Sequence, residues 1–262
     1  MNVCYWNIGK KGKPEDKQFY QAIKGIIDSY SPDLICLSEY EFFDDTYLLK
    51  NGYSLVDNVT CDKTKCFQKS GLGLVQIRVG DRYCFVENSK CNCLFVFLHA
   101  YSSPYYNEYD RTVYMSEIKG EIDEHIKGKE DTKVFIIGDF NCMPYSNSIM
   151  SKEVLNCTLF RGLLETKANA NERYYNPMLL LLSEKNGVYG SYFNDSLPDN
   201  LRWYLLDQVI VNRNADKIID YDSIELLTKI GETDLLKNGK PNSHFYSDHL
   251  PLYFAIKEGE HE

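Results

Sequence analysis

The residues best suited to chemistry lie in Lys133 to Pro144, KVFIIGDFNCMP. Val134-Phe135-Ile136-Ile137 is a continuous apolar run, the pattern of a strand buried on both faces. Gly138 is expected to stop it, leaving Asp139 and Asn141 at its carboxyl end, where open α/β sheets bind ligands. On a rigid support, such a carboxylate and carboxamide can serve one reacting centre. Asp139 would accept a proton or orient a water, and Asn141 would donate a hydrogen bond to an oxyanion. Gly, Asp and Asn also suit an ordinary turn, so the reading depends on what else reaches that place.

Other strand-like segments carry polar groups at their ends too. Asn7 follows Asn2-Val3-Cys4-Tyr5-Trp6, Glu39 follows Asp33 to Ser38, and His99 follows Cys93 to Leu98. Asp207 lies within Arg202 to Val211, and Asp248-His249 precedes Leu250 to Ile256. Taken singly, each has a plain explanation: a solvated glutamate, a structural histidine, an internal Asp207–Gln208 hydrogen-bonding pair. Their joint occurrence favours a shared site.

The elements that would hold these groups follow from hydrophobic period. Strand one runs to about Asn7, and Lys10-Lys11-Gly12-Lys13-Pro14 continues a loop. Glu15 to Tyr30 has helical spacing at Phe19, Ala22, Ile23, Ile26 and Ile27, and Ser31-Pro32 breaks it. Asp33 to Glu39 is then a second buried strand. The β-α-β order makes the two strands parallel neighbours, with Asn7 and Glu39 at one sheet edge. Gly71 to Arg78, Asp81 to Glu87 and Cys93 to His99 read as an antiparallel meander. Asp110 to Lys127 reads as a long helix with Val113, Ile118, Ile122 and Ile126 inward and Arg111 in its first turn. Residues 145–200 look irregular, with short helices at Asn147–Leu155 and Pro177–Glu184. Ile218 to Ile230 is a strand pair or one ragged strand. Without linkers, low-complexity tracts or repeats, residues 1–257 are expected to form one domain, and 258–262 a disordered tail.

At 262 residues and 44% hydrophobic content the chain can build a sizeable core. A net charge of −9 supplies no global basic field, which counts against a non-enzymatic, high-affinity DNA-binding module. A nuclease needs only local positive charge and a metal, so it stays open. The nine scattered cysteines include no Cys-x-x-Cys pair, and reduced thiols in a cytoplasm are expected rather than structural zinc. Asn2 to Trp6 already reads as a strand, leaving no room for a signal peptide. Met178 to Leu182 is read as a short buried helix or strand, and like every other apolar run of the chain it is too short to span a membrane. The Asn-x-Ser/Thr matches at Asn58, Asn156 and Asn194 are then taken as chance.

In order, Trp6-Asn7, Asp33 to Glu39 (DLICLSE), His99, Arg111, Gly138-Asp139-Phe140-Asn141, Leu206-Asp207 and Ser247-Asp248-His249 cover nearly the whole chain. This series resembles the endonuclease/exonuclease/phosphatase superfamily, the DNase I-like fold. The resemblance implies an α/β four-layer sandwich, with two mixed β-sheets packed face to face and helices on the outside. It also implies phosphodiester hydrolysis assisted by Mg²⁺ or Mn²⁺. Two departures stand out. Ser38 replaces the Gln that many members carry before the metal-binding Glu, and Gly9 stands where some repair nucleases have a further carboxylate. The second departure favours one tightly held ion over two.

On that resemblance Glu39 is the principal metal ligand and Asp248 the second. Asp139, supported by Asn141, orients or deprotonates the attacking water, and Asn7 holds Asp139 or the phosphate. His249 hydrogen-bonds a phosphate oxygen while Asp207 fixes its tautomer, and His99 sits near the leaving group or phosphate. Arg111 is a phosphate ligand, an orienter of the carboxylates, or merely the partner of a helix-start Asp. Lys10, Lys11 and Lys13 should rim the cleft, and Lys63, Lys65 and Lys69 form a second basic loop. With Tyr101, Tyr105 and Tyr106 they could hold a nucleic-acid backbone and stack bases. The leading expectation is therefore a nuclease acting on DNA or RNA, with no obligate protein partner. The alternatives are a phosphatase or phosphodiesterase for a small phosphorylated molecule or lipid headgroup, and a catalytically dead binding domain.

Overall fold

The computed structural model describes residues 1–56, 59–102, 105–165, 173–183, 188–196 and 200–257. Asn58, Ser103-Pro104, the Glu184 end of the expected helix and the tail 258–262 lie outside them.

In chain order, β1 (Asn2–Asn7), α1 (Lys17–Tyr30), β2 (Leu34–Ser38), α2 (Thr46–Lys50), β3 (Tyr53–Leu55) and β4 (Thr64–Lys69) come first. The middle of the chain forms β5 (Val75–Val79), β6 (Tyr83–Asn88), β7 (Cys93–His99), α3 (Glu108–Ile126) and β8 (Lys133–Asp139). Shorter pieces follow: α4 (Asn147–Met150), β9 (Cys157–Thr158), β10 (Tyr174–Tyr175), β11 (Tyr192–Phe193) and β12 (Trp203–Tyr204). Then come β13 (Asp207–Asn212), α5 (Arg213–Asp216) and β14 (Ile219–Leu226). Two small hairpins, β15 (Lys229–Ile230) with β16 (Thr233–Asp234) and β17 (Leu236–Lys237) with β18 (Lys240–Pro241), precede β19 (Leu252–Ile256).

One sheet has the order β14-β19-β1-β2-β4-β3 and the other β5-β6-β7-β8-β13-β10-β9. Both are mixed. Each contains one parallel β-α-β crossover, β1-α1-β2 in the first and β7-α3-β8 in the second. These two units position the site. Their registers pair Asn7 with Ser38 and His99 with Asp139, so each sheet presents two carboxyl ends side by side.

Strand alternation explains the layers. In β7 and β8, Phe95, Phe97, Phe135 and Ile137 face the other sheet, and Phe135 stacks 6.1 Å from Phe254 of β19. Their neighbours Leu94, Val96, Leu98, Val134 and Ile136 face α3, against Tyr114, Met115, Ile118 and Ile122. On β1, Trp6 turns to α1, with its ring 5.3 Å from Phe19. Tyr5 and Asn7 face the second sheet. The result is the four-layer sandwich expected from sequence.

Several local expectations change. Gly138 does not stop β8, because the strand continues through Asp139. Its φ of 149° is open only to glycine, and a Cβ there would lie 1.9 Å from the Leu98 carbonyl oxygen on β7. Val113 is 39% exposed, and the inward stripe of α3 uses Tyr114 and Met115 in its place. Met178–Leu181 is a 3₁₀ turn with Met178 buried but Leu180 68% exposed. Lys65 and Lys69 belong to a strand, not a loop, because buried Cys66 and Phe67 pair β4 with β2. Each ammonium meets a carboxylate, Lys65 with Asp45 at 2.7 Å and Lys69 with Asp33 at 3.0 Å. No helix among the described residues is long and apolar enough to cross a membrane.

Candidate active site

The polar strand ends converge. Asp139 is 1% exposed, and its Oδ2 is the meeting point. Asn7 Nδ2 donates to that oxygen at 3.1 Å, while His99 Nε2 stands 3.6 Å and His249 Nε2 3.9 Å from it. Its Oδ1 accepts the Asn141 backbone N–H at 2.8 Å. Asn7 Nδ2 also lies 3.4 Å from Glu39 Oε1, which His99 Nε2 approaches to 3.3 Å. One asparagine therefore links the two carboxylates delivered by the two sheets.

Glu39 and Asn141 both have left-handed backbones, with φ of 51° and 49°. Such conformations are strained for residues with a Cβ and cluster at functional sites. At Glu39 it turns the side chain off the strand end into the cavity. Asn141 commits one carboxamide N–H to the Ala100 carbonyl at 3.0 Å.

His249 Nδ1 and Asp207 Oδ2 are 2.8 Å apart, both buried. Asp207 is the register partner of Asp139, so antiparallel pairing of β13 with β8 sets the spacing. The histidine is anchored from the other sheet. Trp6 Nε1 donates to its carbonyl at 2.9 Å, and Ser247 Oγ, donating to the Asn7 carbonyl, accepts its backbone N–H. Tyr192 covers its ring at 4.8 Å between centroids.

Charge follows from these contacts. Burial works against a charged His249, but Asp207, Asp139 and Asp248 overcome it and push the imidazolium up to about 10. The His99 hydrogen bond, outweighing partial burial, pulls Glu39 down to about 2. Burial raises Asp139 above the usual carboxylate range, opposed by His249 and His99.

A cavity of about 720 Å³ opens over this cluster. Glu39, His99, Asp139, Asn141, Asp248 and His249 line one end of it, and Arg111, Glu108, Ser102, Ser146 and Tyr204 continue its wall. Asn7 and Asp207 lie beneath. Arg111 donates to the Tyr106 carbonyl at 3.3 Å, while its buried Nε has no hydrogen-bond partner among the described residues. Helix-start Asp110 is instead taken by the Asn107 capping box. Lys10, Lys11 and Tyr105 are not among the residues lining the cavity. The Lys11 ammonium reaches the His244 carbonyl at 2.9 Å, and Tyr105 is 84% exposed.

Ligand atoms of Asp139, Asp207 and His249 lie within 4.8 Å of one another, close enough for a metal cluster. The 2.8 Å contact of His249 Nδ1 with Asp207 Oδ2 engages two of these atoms with each other, and the neighbouring carboxylates favour the imidazolium there. Hard oxygen donors facing the cavity come from Glu39 and Asp248. Sequence reading missed Arg82, which donates to the His99 carbonyl at 2.8 Å and to His99 Nδ1 at 2.9 Å. A donor on Nδ1 puts the ring proton on Nε2, facing Glu39 and Asp139. Arg82 stands just before β6, where a charged hairpin residue attracts no notice.

No protein-family model matches the chain, and no curated protein matches it in sequence. Solved structures do. Over 98% of this chain, the human Nocturnin catalytic domain with bound sulfate matches at TM-score 0.58 and 16% identity, with 94% of that chain covered. D. rerio TDP2 complexed with single strand DNA product matches at 0.61 and 14%, covering 98% of this chain and 99% of the other. An AP endonuclease from Archaeoglobus fulgidus matches at 0.61 and 10%, covering 98% and 100%. At such identities the likeness establishes the fold: the chain has the DNase I-like α/β sandwich.

Proposed function

We propose that the protein is a divalent-metal-dependent phosphodiester hydrolase, a nuclease that cleaves DNA or RNA by in-line attack of water. The observation that carries this reading is the convergence, from both sheets, of Glu39, His99, Asp139 and His249 in one cavity, with Asn7 and Asp207 holding them from beneath. The likeness to TDP2 complexed with single strand DNA product and to an AP endonuclease supports a nucleic-acid substrate.

Glu39 and Asp248 would hold Mg²⁺ or Mn²⁺. The donor set fits: both are hard oxygen ligands on the cavity wall, Glu39 stays ionised far below neutral pH, and Mg²⁺ commonly takes only one or two protein carboxylates. When bound, the ion neutralises charge on the non-bridging phosphate oxygens. Asp139 orients a water and takes its proton, a task suited to a carboxylate whose basicity burial has raised. Asn7 keeps that carboxylate in line. His249, held as the imidazolium by Asp207, donates from Nε2 to a phosphate oxygen as negative charge develops. His99 presents Nε2–H near the leaving oxygen, and Arg111 binds a phosphate further along the wall.

The test is hydrolysis of plasmid DNA, single-stranded DNA and RNA with Mg²⁺ or Mn²⁺, with chelator, and with Asp139→Ala as control. Cleavage that needs the metal and Asp139 is expected. A second reading, a phosphatase or phosphodiesterase for a small molecule, is favoured by the cavity itself. Its volume of about 720 Å³ is small-molecule sized, and Glu39, Glu108, Asp139 and Asp248 make its wall acidic. Hydrolysis of small mono- or diesters without cleavage of any nucleic acid would select that reading.

A further inference from the structure

The reaction assigns no role to the buried tyrosine directly beneath the site. Tyr5 is 0% exposed, on the face of β1 that meets the second sheet. Its Oη accepts the backbone N–H of Asp139 at 3.0 Å and donates to Ser38 Oγ at 2.8 Å. Ser38 immediately precedes Glu39, so one hydroxyl joins the backbone of the water-activating carboxylate to the strand end that delivers the metal-binding one.

Three features around this hydroxyl fit together. The φ of 149° at Gly138 sets the peptide whose N–H reaches Tyr5, and no side chain could stand there beside Leu98. Ser38 has a short side chain, and the phenol lies between it and the Asp139 backbone. Burial, with Asp139 and Asp207 nearby, holds the phenol well above its ordinary range, so it remains a neutral donor and acceptor. The Asp139 N–H is buried and needs a partner, and Tyr5 supplies it from the opposite sheet.

We infer that Tyr5 is a positioning residue: with Ser38 it forms a strut between the sheets that fixes the Asp139 backbone relative to Glu39. Asn7 holds the Asp139 carboxylate from the side, and Tyr5 holds its main chain from below. The strut acts on alignment of the attacking water and not on substrate affinity. Its effect on turnover rests on the hydrolase reading above, whereas its existence does not.

The experiment compares wild type with Tyr5→Phe and Ser38→Ala. It measures kcat and KM per folded molecule, and amide hydrogen exchange at Asp139. Tyr5→Phe should lose about ten-fold or more in kcat with KM nearly unchanged, as for partners that orient catalytic ligands, and its Asp139 amide should exchange faster. Ser38→Ala keeps the acceptor for the amide but frees the hydroxyl, so a smaller fall in kcat is expected. A Tyr5→Phe protein that is folded, with wild-type kcat and a protected Asp139 amide, overturns the inference. So does one that loses only thermal stability. Should Tyr5→Phe fail to fold, Ser38→Ala decides: unchanged kcat and unchanged Asp139 exchange overturn the strut. If wild type hydrolyses no phosphoester, the hydrolase reading fails, and the exchange rates alone support or refute the strut.

Discussion

Replacing Asp207 by asparagine keeps a side chain of similar size against His249 Nδ1 and removes the charge that stabilises the imidazolium. The native contact is 2.8 Å between buried atoms. The rise of His249 from 6.5 to about 10 corresponds to about 5 kcal/mol in favour of the charged ring, net of a burial that opposes it. Without the Asp207 charge the ring should return towards 6.5, its ordinary value. At about pH 8 roughly 3% of it would then be imidazolium, a loss of about 30-fold in the reactive form. Turnover of Asp207→Asn should therefore be about 30-fold low at that pH and recover as the buffer is taken down to about pH 6. Wild type should hold a flat alkaline side to beyond about pH 9. The assay is kcat at saturating Mg²⁺ across that range. A variant with uniformly reduced kcat and an unchanged pH profile would refute the imidazolium. The same linkage reaches stability. A folded-state value raised to about 10 stabilises fully below 6.5, and the contribution disappears as pH rises through about 10. Alkaline unfolding should accordingly be shallower in Asp207→Asn than in wild type.

Other outcomes follow from single contacts. Glu39→Gln should lower turnover by on the order of 10²-fold and abolish the heat of Mg²⁺ or Mn²⁺ binding by calorimetry; an unchanged metal affinity would remove Glu39 as a ligand. Because Glu39 is depressed to about 2 in the folded protein, the stability it contributes is present above 4.5 and is lost as pH falls through about 2. The wild-type loss of denaturation midpoint in acid should be smaller in Glu39→Gln. Gly138→Ala must place a Cβ 1.9 Å from the Leu98 carbonyl oxygen and should cost about 3 kcal/mol in urea unfolding. A midpoint equal to wild type would show that β7 and β8 separate freely. Arg82→Met frees His99 Nδ1 and should reduce kcat by about ten-fold, with the Nδ1-protonated tautomer appearing in imidazole nitrogen spectra. Unchanged spectra would show that Glu39 and Asp139 alone select the tautomer.

What could be read from sequence was the delivery of side chains, and what could not was their orientation. Asn7, Glu39, His99 and Asp139 were legible because each closes an apolar strand, and a buried strand declares itself by local pattern. The parallel pairing of β1 with β2 followed from chain order; the structure adds the parallel pairing of β7 with β8, whose intervening helix was legible but whose register was not. Lys63, Lys65 and Lys69 read as a basic loop because these lysines mask buried Cys66 and Phe67 of β4. Asp45 and Asp33, distant in sequence, neutralise Lys65 and Lys69, a pairing no window of residues reveals. Tyr5 looked like any core aromatic, since nothing within β1 announces a hydroxyl aimed at residue 139. Arg82 is also separated from His99 by a full hairpin. Both act across pairings between strands or between sheets, where a hydrogen bond depends on the packing of two surfaces and leaves no period in either. The side chains of the candidate site are thus delivered by elements that local pattern specifies, while the tautomer of His99 and the setting of Asp139 depend on packed partners elsewhere. Substitutions at Arg82 and Tyr5 should consequently disturb catalysis while leaving the sheet order intact.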